Sequence, residues 1–385
     1  MRKVLLVGCG AEIGSLLVTM VDPARDGFQI GAILTRPIKA DPKYPELSSI
    51  DSLVARIVLA DPRMLGQVAV ARDPDRLVIR GVEIPVHWGD VLALGSLPTG
   101  QRFDACVLAT SKTHINDKTV MESLLSVAEL VVGVAEAEGL WALYPSLDDA
   151  PAGLLPRRPE AIGDRRLFCL GSCQTNGWQA IWHGLLAGLD RAGVDAVHMR
   201  GAEVDIVHPD TPTGRLGTKS LSAREQDPRN NLRPSFSQVA LSMRRLLPGT
   251  HGLNTVSLRT LTMPPGFQIC RFFFEYRREA GRLDREAMLR GYGAVAERSP
   301  TILHVADLPL GSRGFEFCEA AAVVLPQSTL FHFHDDPFGA VGAGGAPLSE
   351  MIVQAYVHNT RGYCRSVIEA LRGLFSPVPP KVFAP

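Results

Sequence analysis

A cysteine between a buried strand and a helix is the first candidate for chemistry in this chain. Cys173 lies in the segment Gly171-Ser-Cys-Gln-Thr-Asn176, directly after the apolar run 167–170. A helix is predicted over residues 178–189. A thiol at the start of a helix lies near the positive end of the helix dipole, which favours the thiolate. The segment therefore predicts a nucleophile, although most cysteines are small buried hydrophobic residues.

A glycine turn at the start of the chain is the second candidate. A strand over residues 4–7 leads into Gly8-Cys-Gly-Ala-Glu-Ile-Gly14, and a helix is predicted over 15–21. Such glycines let the backbone approach a pyrophosphate, whose charge faces the helix N-terminus. The spacing is longer than the usual fingerprint by one residue, and tight turns need glycine in any case. Because the turn follows the first strand, we expect it to bind a dinucleotide. The expected contacts are Gly8, Gly10, Glu12, Ile13 and Gly14.

The end of the second strand bears on the choice of dinucleotide. The strand predicted over residues 28–34 ends in Thr35-Arg36-Pro37, where an NAD site usually has an acidic residue for the ribose 2′-hydroxyl. An arginine there suits the 2′-phosphate of NADP. Arg36 is equally well explained as a solvated loop residue, so NAD and NADP both stay open as the cofactor. Thr110 and Ser111 follow the predicted strand 103–109 and would border the same crevice.

Strands and helices alternate through the first part of the chain, which is typical of an α/β protein. We expect an N-terminal Rossmann-type dinucleotide-binding domain over residues 1–170. Residues 171–350 are predicted to form an α+β catalytic domain with a mixed or antiparallel sheet. A C-terminal helix over 351–377 would join the first domain. Residues 145–160, rich in Pro, Asp and Arg, have the composition of a linker.

The composition argues against several classes of protein. Forty basic residues balance forty acidic ones, so no charge excess indicates a nucleic-acid or anionic-membrane partner. No apolar run reaches the roughly 18 residues of a membrane span, and a signal-peptide pattern is lacking. Seven scattered cysteines without a CxxC pair indicate reduced thiols rather than a disulfide or zinc scaffold. We expect a cytoplasmic protein without a metal site.

Four segments, in order along the chain, resemble those of one enzyme family. They are 171–176, 208–213, 258–264 and 356–365. The first resembles the Ser-Cys-Thr-Thr-Asn catalytic segment of glyceraldehyde-3-phosphate dehydrogenase and its relative erythrose-4-phosphate dehydrogenase. The second resembles that family's His-Ala-x-Thr-x-Thr segment, and the other two resemble its phosphate-binding arginine segment and the start of its C-terminal helix. The resemblance runs through nearly the whole chain.

The resemblance implies a covalent mechanism for an aldehyde substrate. Cys173 would attack the carbonyl as a thiolate, and His208 would be the catalytic base. Hydride transfer to a nicotinamide would leave a thioacyl-enzyme, which phosphate or water would release. The Cys173 backbone N–H and the protonated His208 would hold the oxyanion. The resemblance also implies a homo-oligomer, either a tetramer or a dimer. Without Cys173, His208 would be explained as a surface histidine at the start of a long polar loop.

The same resemblance implies binding residues. Asn359 would hold the nicotinamide carboxamide. Two threonines and an arginine would hold a substrate phosphate, since hydroxyls and a guanidinium suit its oxygens. Alternatively, the threonines are turn residues beside Pro212, and the arginine pairs with a carboxylate. The expected substrate-binding residues are Ser172, Thr175, Thr211, Thr213, Ser237 and Arg259.

Some positions depart from the family's pattern. Gln238 stands where a glycine backbone would cradle inorganic phosphate, so hydrolysis or another acceptor stays open beside phosphorolysis. The glycine turn is longer, the acid after the second strand is absent, and Gln174 and Pro209 differ from the commonest residues of their motifs. These departures predict a divergent relative with its own substrate.

Three functions therefore stay open at the level of sequence. The first is NAD(P)-dependent oxidation of an aldehyde that bears a phosphate or phosphonate. The second is oxidation of another semialdehyde or reduction of an acyl phosphate, as in aspartate-semialdehyde dehydrogenase, which the Thr-x-Thr pattern fits less well. The third is a binding or regulatory protein on the same fold, against which the presence of both Cys173 and His208 argues.

Overall fold

The chain folds as an α/β protein with sheets that contain both parallel and antiparallel pairs. The computed structural model describes residues 1–38, 45–97, 100–194, 196–209, 232–250, 252–260, 262, 264–276, 285–308, 310–326, 330–332 and 349–385. Contacts divide the chain into two compact units. The first comprises Met1–Leu143, Glu160–Gly171 and Val367–Pro385, and the second comprises Tyr144–Pro159 and Ser172–Ser366.

The secondary structure is rich in short strands. The described strands are β1 (Arg2–Val7), β2 (Phe28–Thr35), β3 (Val68–Ala71), β4 (Arg76–Ile79), β5 (Val82–Trp88), β6 (Phe103–Leu108), β7 (Ala128–Gly133), β8 (Trp141–Leu143), β9 (Glu160–Ala161), β10 (Leu167–Cys169), β11 (Val197–Pro209), β12 (Arg233–Ser235), β13 (Gly252–Thr260), β14 (Gly266–Tyr276), β15 (Leu303–Val305), β16 (Ala322–Val324), β17 (Leu330–His332), β18 (Ser349–Val357) and β19 (Lys381–Phe383). The described helices are α1 (Glu12–Met20), α2 (Pro23–Asp26), α3 (Ser49–Ala60), α4 (Lys112–Asn116), α5 (Lys118–Leu124), α6 (Cys173–Arg191), α7 (Val239–Leu246), α8 (Arg285–Arg298) and α9 (Arg361–Phe375). Within the described ranges, no helix combines the length and the apolar character that a bilayer span requires.

The first unit is organised around a parallel sheet. Its central strands follow the order β5-β2-β1-β6-β7-β10-β8, and each neighbouring pair is parallel. Leu5 and Leu6 on β1 are fully buried, as expected for a strand that is covered on both faces. Strands β4 and β5 form a hairpin, in which they pair antiparallel and Gly81 between them has a φ of +76°.

The second unit is a mixed sheet that carries helix α6. The sheet order is β12-β13-β11-β14-β18-β16-β15, with β17 beside β18. Helix α6 is buried along most of its length and packs closely through glycines. A Cβ on Gly177 would lie 2.4 Å from Val357 of β18, and one on Gly184 would lie 2.1 Å from the ring of Tyr292. These close contacts fix the helix that starts at Cys173 against β18 and α8.

The predicted C-terminal helix over 351–377 is wrong at its start. Residues Ser349–Val357 form strand β18, and the helix covers only Arg361–Phe375. Buried and partly buried residues alternate strictly along β18, with Met351 and Val353 on the buried face. This period of two is the pattern of a strand rather than of a helix.

The segment 145–160 is not an exposed linker. Most of it belongs to the second unit, and Leu147, Leu154 and Leu155 are buried there. The Ser146 hydroxyl donates to the backbone oxygen of Asn176, and the Ser146 carbonyl accepts from His183 Nδ1 at 2.8 Å. The turn that contains Ser146 therefore packs on helix α6.

Candidate active site

Cys173 is the first residue of helix α6, which starts earlier than the predicted residue 178. Ser172 caps the helix, because its Oγ accepts a hydrogen bond from the Thr175 backbone N–H at 3.2 Å. The Asn176 side chain donates to the Ser172 carbonyl at 3.0 Å. The thiol is half-buried. The local sequence thus holds a partly accessible thiol at the positive end of a capped helix.

His208 lies within reach of this thiol. Its Nε2 is 3.9 Å from Cys173 Sγ, and its Nδ1 is 2.6 Å from the Pro209 carbonyl oxygen. Because a carbonyl only accepts, Nδ1 carries the proton and Nε2 is left to accept from the thiol. Burial lowers the pKa of His208 to about 4, and the positive charge of Arg259 contributes in the same direction. His208 is therefore a neutral imidazole at pH 7, in the state that a general base needs.

Strand pairing places Arg259 next to His208. Strands β11 and β13 are parallel, and His208 is paired in register with Arg259. Paired residues of neighbouring strands point to the same face of a sheet, which brings the guanidinium to the side of the imidazole. Arg259 Nε donates to the Ser235 hydroxyl at 3.0 Å. Thr211 and Thr213, the other predicted phosphate contacts, lie outside the described residues.

The remaining predicted substrate residues have structural contacts of their own. The hydroxyls of Ser172 and Thr175 are 3.0 Å apart, and Thr175 is fully buried. Ser242 Oγ donates to Thr175 Oγ1 at 3.3 Å. Ser237 is buried, and its Oγ accepts from the Val239 backbone N–H at the start of helix α7. Contacts of these residues with a substrate stay predictions.

Sequence reasoning missed the support beneath the first turn of α6. Gln268 Nε2 donates to the backbone oxygen of Gln174 at 2.9 Å and to its Oε1 at 2.6 Å. Both side chains are buried. The available signal was the alternation of β14, in which Gln268 occupies an inward-facing position shared with the buried Cys270 and Phe272. A polar residue at such a position needs a buried partner.

Asn359 lies between strand β18 and helix α9. It is half-buried, and its Oδ1 is buried with no hydrogen-bond partner among the described residues. The neighbouring His358 is fixed, since its Nε2 donates to the Glu316 carbonyl at 2.8 Å and its Nδ1 lies 3.2 Å from the Thr360 hydroxyl. Burial lowers the pKa of His358 to about 4. A buried acceptor of this kind is suited to a ligand amide.

The glycine turn in the first unit is closely packed. Gly8 has a φ of +93°, and a Cβ there would lie 2.7 Å from the Ala109 carbonyl oxygen. A Cβ on Gly14 would lie 2.0 Å from the Gly8 carbonyl oxygen. Both glycines are thus required by the turn itself. Helix α1 follows, and its N-cap residue Ala11 makes no side-chain cap.

A cleft of about 340 Å³ opens beside this turn. It brings together the predicted residues Gly8, Thr35, Arg36, Thr110 and Ser111, while Gly10, Glu12, Ile13 and Gly14 do not line it. The full lining consists of Val7, Gly8, Ala11, Leu34, Thr35, Arg36, Gly89, Asp90, Val91, Ala109, Thr110, Ser111 and His114.

Two charged or titratable side chains of this cleft were missed at the level of sequence. Asp90 pairs with Arg36, with 2.7 Å between Oδ2 and Nη2. His114 Nδ1 lies 3.1 Å from the Thr110 hydroxyl. Arg36 is therefore an ion-paired residue at a cleft rather than a residue that contacts solvent alone.

Comparisons with known proteins add no assignment. No protein-family model matches the sequence, and the search of curated proteins gives no significant match.

Proposed function

We propose that this chain is an NAD(P)-dependent dehydrogenase of aldehydes that bear a phosphate or phosphonate group. The observation that carries the proposal is the pairing of Cys173 Sγ with a neutral His208 Nε2 at 3.9 Å, at the start of a capped helix. Arg259 on the neighbouring strand supports an anionic substrate.

The chain's own residues provide the covalent chemistry. His208 Nε2 takes the thiol proton, and the Cys173 thiolate attacks the aldehyde carbon to form a thiohemiacetal. The oxyanion that develops is stabilised by the Cys173 backbone N–H at the helix N-terminus and by the protonated imidazole. The low pKa of His208 then favours return of this proton to the oxygen of the adduct. His208 Nε2 would take the hydroxyl proton back as this carbon gives up its hydride, for which a bound nicotinamide would be the acceptor. The acyl group would then remain on sulfur until phosphate or water releases it.

Several features fit a dinucleotide. Numbered along the chain, the parallel strands β5-β2-β1-β6-β7-β10 have the order 3-2-1-4-5-6 of Rossmann-type domains. The glycine turn follows β1, the first strand of that order, and it has no room for a Cβ on Gly8 or Gly14. The buried Oδ1 of Asn359, which has no hydrogen-bond partner in the described ranges, fits the carboxamide donor that the family resemblance implies. We therefore assign NAD or NADP as the cofactor within this proposal.

Thiol labelling and turnover test the proposal together. Iodoacetamide should label Cys173 faster than the other six cysteines, and Cys173→Ser should abolish turnover in a screen of aldehydes with NAD and NADP, with and without phosphate. Cys318→Ser is the matched control, because Cys318 is also half-buried while burial raises the pKa of its thiol. Equal labelling of Cys173 and Cys318, together with an active Cys173→Ser variant, would refute the proposal.

A further inference from the structure

We infer that Asp90 sets the choice between NAD and NADP by competing with a 2′-phosphate for Arg36. This inference rests on the proposed dinucleotide function and identifies the residue that replaces the acid missing after the second strand.

Strand pairing brings Asp90 to the required place. Strands β2 and β5 are parallel, with Thr35 paired in register with Trp88. The carboxyl ends of the two strands therefore meet at one edge of the sheet, although Arg36 and Asp90 are 54 residues apart in sequence. Both side chains line the cleft beside the glycine turn.

The Asp90 carboxylate is held in a defined orientation. Its Oδ1 accepts from the Val91 backbone N–H at 2.6 Å, and its Oδ2 accepts from Arg36 Nη2 at 2.7 Å. These two hydrogen bonds, led by that from Arg36, hold the pKa of the Asp90 carboxyl below its ordinary value, and the nearby His114 acts in the same direction. The carboxylate is therefore charged at neutral pH.

The two cofactors make opposite demands on this pair. A ribose 2′-hydroxyl needs an acceptor, which the carboxylate of Asp90 offers. A 2′-phosphate needs the guanidinium of Arg36, so it must break the existing ion pair and approach a second negative charge. The pair thus favours NAD, whereas Arg36 alone would favour NADP.

Cofactor titrations of charge-neutralising variants test this inference. Asp90→Asn should tighten NADP binding by about two- to fivefold, the usual range for an exposed ion pair, and leave NAD binding equal or weaker. Arg36→Ala should weaken NADP binding and leave NAD binding within about twofold. In the Arg36→Ala background, the gain from Asp90→Asn should shrink, because no guanidinium remains to be released. The readout is the ratio of dissociation constants from cofactor fluorescence.

Asp104→Asn is the matched control. Asp104 pairs with Arg2 at 2.6 Å, and both residues lie at the opposite ends of strands β6 and β1 from the glycine turn. This variant should leave the ratio unchanged. If dinucleotides bind and Asp90→Asn does not change the ratio, the inference is wrong while the proposed function stands. If no variant, including the wild type, binds either dinucleotide, both are wrong.

Discussion

Helices α1 and α6 both begin at a candidate site, but their first turns are built differently. The first turn of helix α6 is stabilised by side-chain hydrogen bonds. Ser172 Oγ accepts from the Thr175 backbone N–H, and the Asn176 side chain donates to the Ser172 carbonyl. Helix α1 starts after Ala11, which offers no cap, and its packing relies on the bare backbone of Gly8 and Gly14. The N-terminus of α6 therefore has a side-chain cap, whereas the N-terminus of α1 has none.

The difference is related to the group that each helix start would present to a ligand, a side chain at α6 and the backbone at α1. At α6 the reactive group is a side chain of the protein, so a rigid capped turn keeps Cys173 Sγ near His208. At α1 the proposed ligand is an anion that approaches the backbone, so an uncapped turn with glycines is appropriate. The comparison predicts that substitutions of polar side chains lower activity mainly at the start of α6. Substitutions that fill the space of a glycine should instead lower stability and dinucleotide binding at the start of α1.

The largest effect is expected for the base beside α6. His208→Asn should lower kcat/KM by roughly 10²- to 10⁴-fold, the usual contribution of general base catalysis. In the wild type, the acid limb of the pH profile should lie near pH 4, where this imidazole protonates, and not near its ordinary value of 6.5. Activity should therefore persist as the pH falls from 7 to 5.

The check is the pH profile of kcat/KM, measured by steady-state kinetics from about pH 3.5 to about pH 8 in steps of roughly half a pH unit. His198→Asn, at an exposed position on the same strand β11, is the control and should leave the profile unchanged. An acid limb near 6.5 in the wild type, or an unaltered rate in His208→Asn, would contradict the assignment of His208 as a neutral base.

The next effect concerns the charge beside this base. Arg259→Ala should lower kcat/KM for a phosphorylated aldehyde. The expected loss of transition-state binding free energy is about 2–3 kcal/mol, the value of a hydrogen bond to a charged group. An uncharged aldehyde of similar length should lose much less, because it does not contact the guanidinium and is affected only through the pKa of His208. Equal losses for both substrates would indicate that Arg259 has a structural role through Ser235.

At α1, a single methyl group should act through the backbone. Gly14→Ala should lower the free energy of unfolding by about 1–3 kcal/mol, as is usual for overpacking, because the added Cβ meets the Gly8 carbonyl. Dinucleotide binding should weaken as the turn opens. Gly95→Ala is the control within the same unit, since a Cβ there has no neighbour within 4 Å. Chemical denaturation checks both variants, and equal stabilities would contradict the close packing of this turn.

Local patterns predicted helices α1 and α6, although both start earlier than predicted, at Glu12 and Cys173. Strand β1 and helix α1 are confirmed, because each is specified by residues next to one another in sequence. The error at β18 has a local cause too. Residues 351–357 are apolar except for Gln354, so polarity does not mark the strand, whereas its buried positions have the period of a strand.

The features that sequence did not reveal depend on distant pairing. Asp90 meets Arg36 only because β5 pairs with β2, and Gln268 supports Gln174 only because β14 faces helix α6. Residues 144–159 have a linker's composition, but Ser146 within them forms hydrogen bonds with Asn176 and His183 of α6. Such contacts depend on strand register and sheet topology. The spacing of apolar residues along the sequence predicts strands and helices, but it does not predict which strands pair.

The smallest effect tests the caps themselves. Ser172→Ala removes the acceptor for the Thr175 N–H and should lower the free energy of unfolding by about 1 kcal/mol, the usual value of an N-cap. It should also slow alkylation of Cys173, because the first turn of α6 loses its fixed geometry.

The opposite variant, Ala11→Ser, adds a cap to α1. It should therefore stabilise the chain by about 0.5–1 kcal/mol and weaken dinucleotide binding. Denaturation, iodoacetamide rates and cofactor titration measure the three quantities. If Ala11→Ser stabilises the chain and leaves cofactor affinity unchanged, the uncapped start of α1 serves packing alone and its comparison with α6 as a ligand site is wrong.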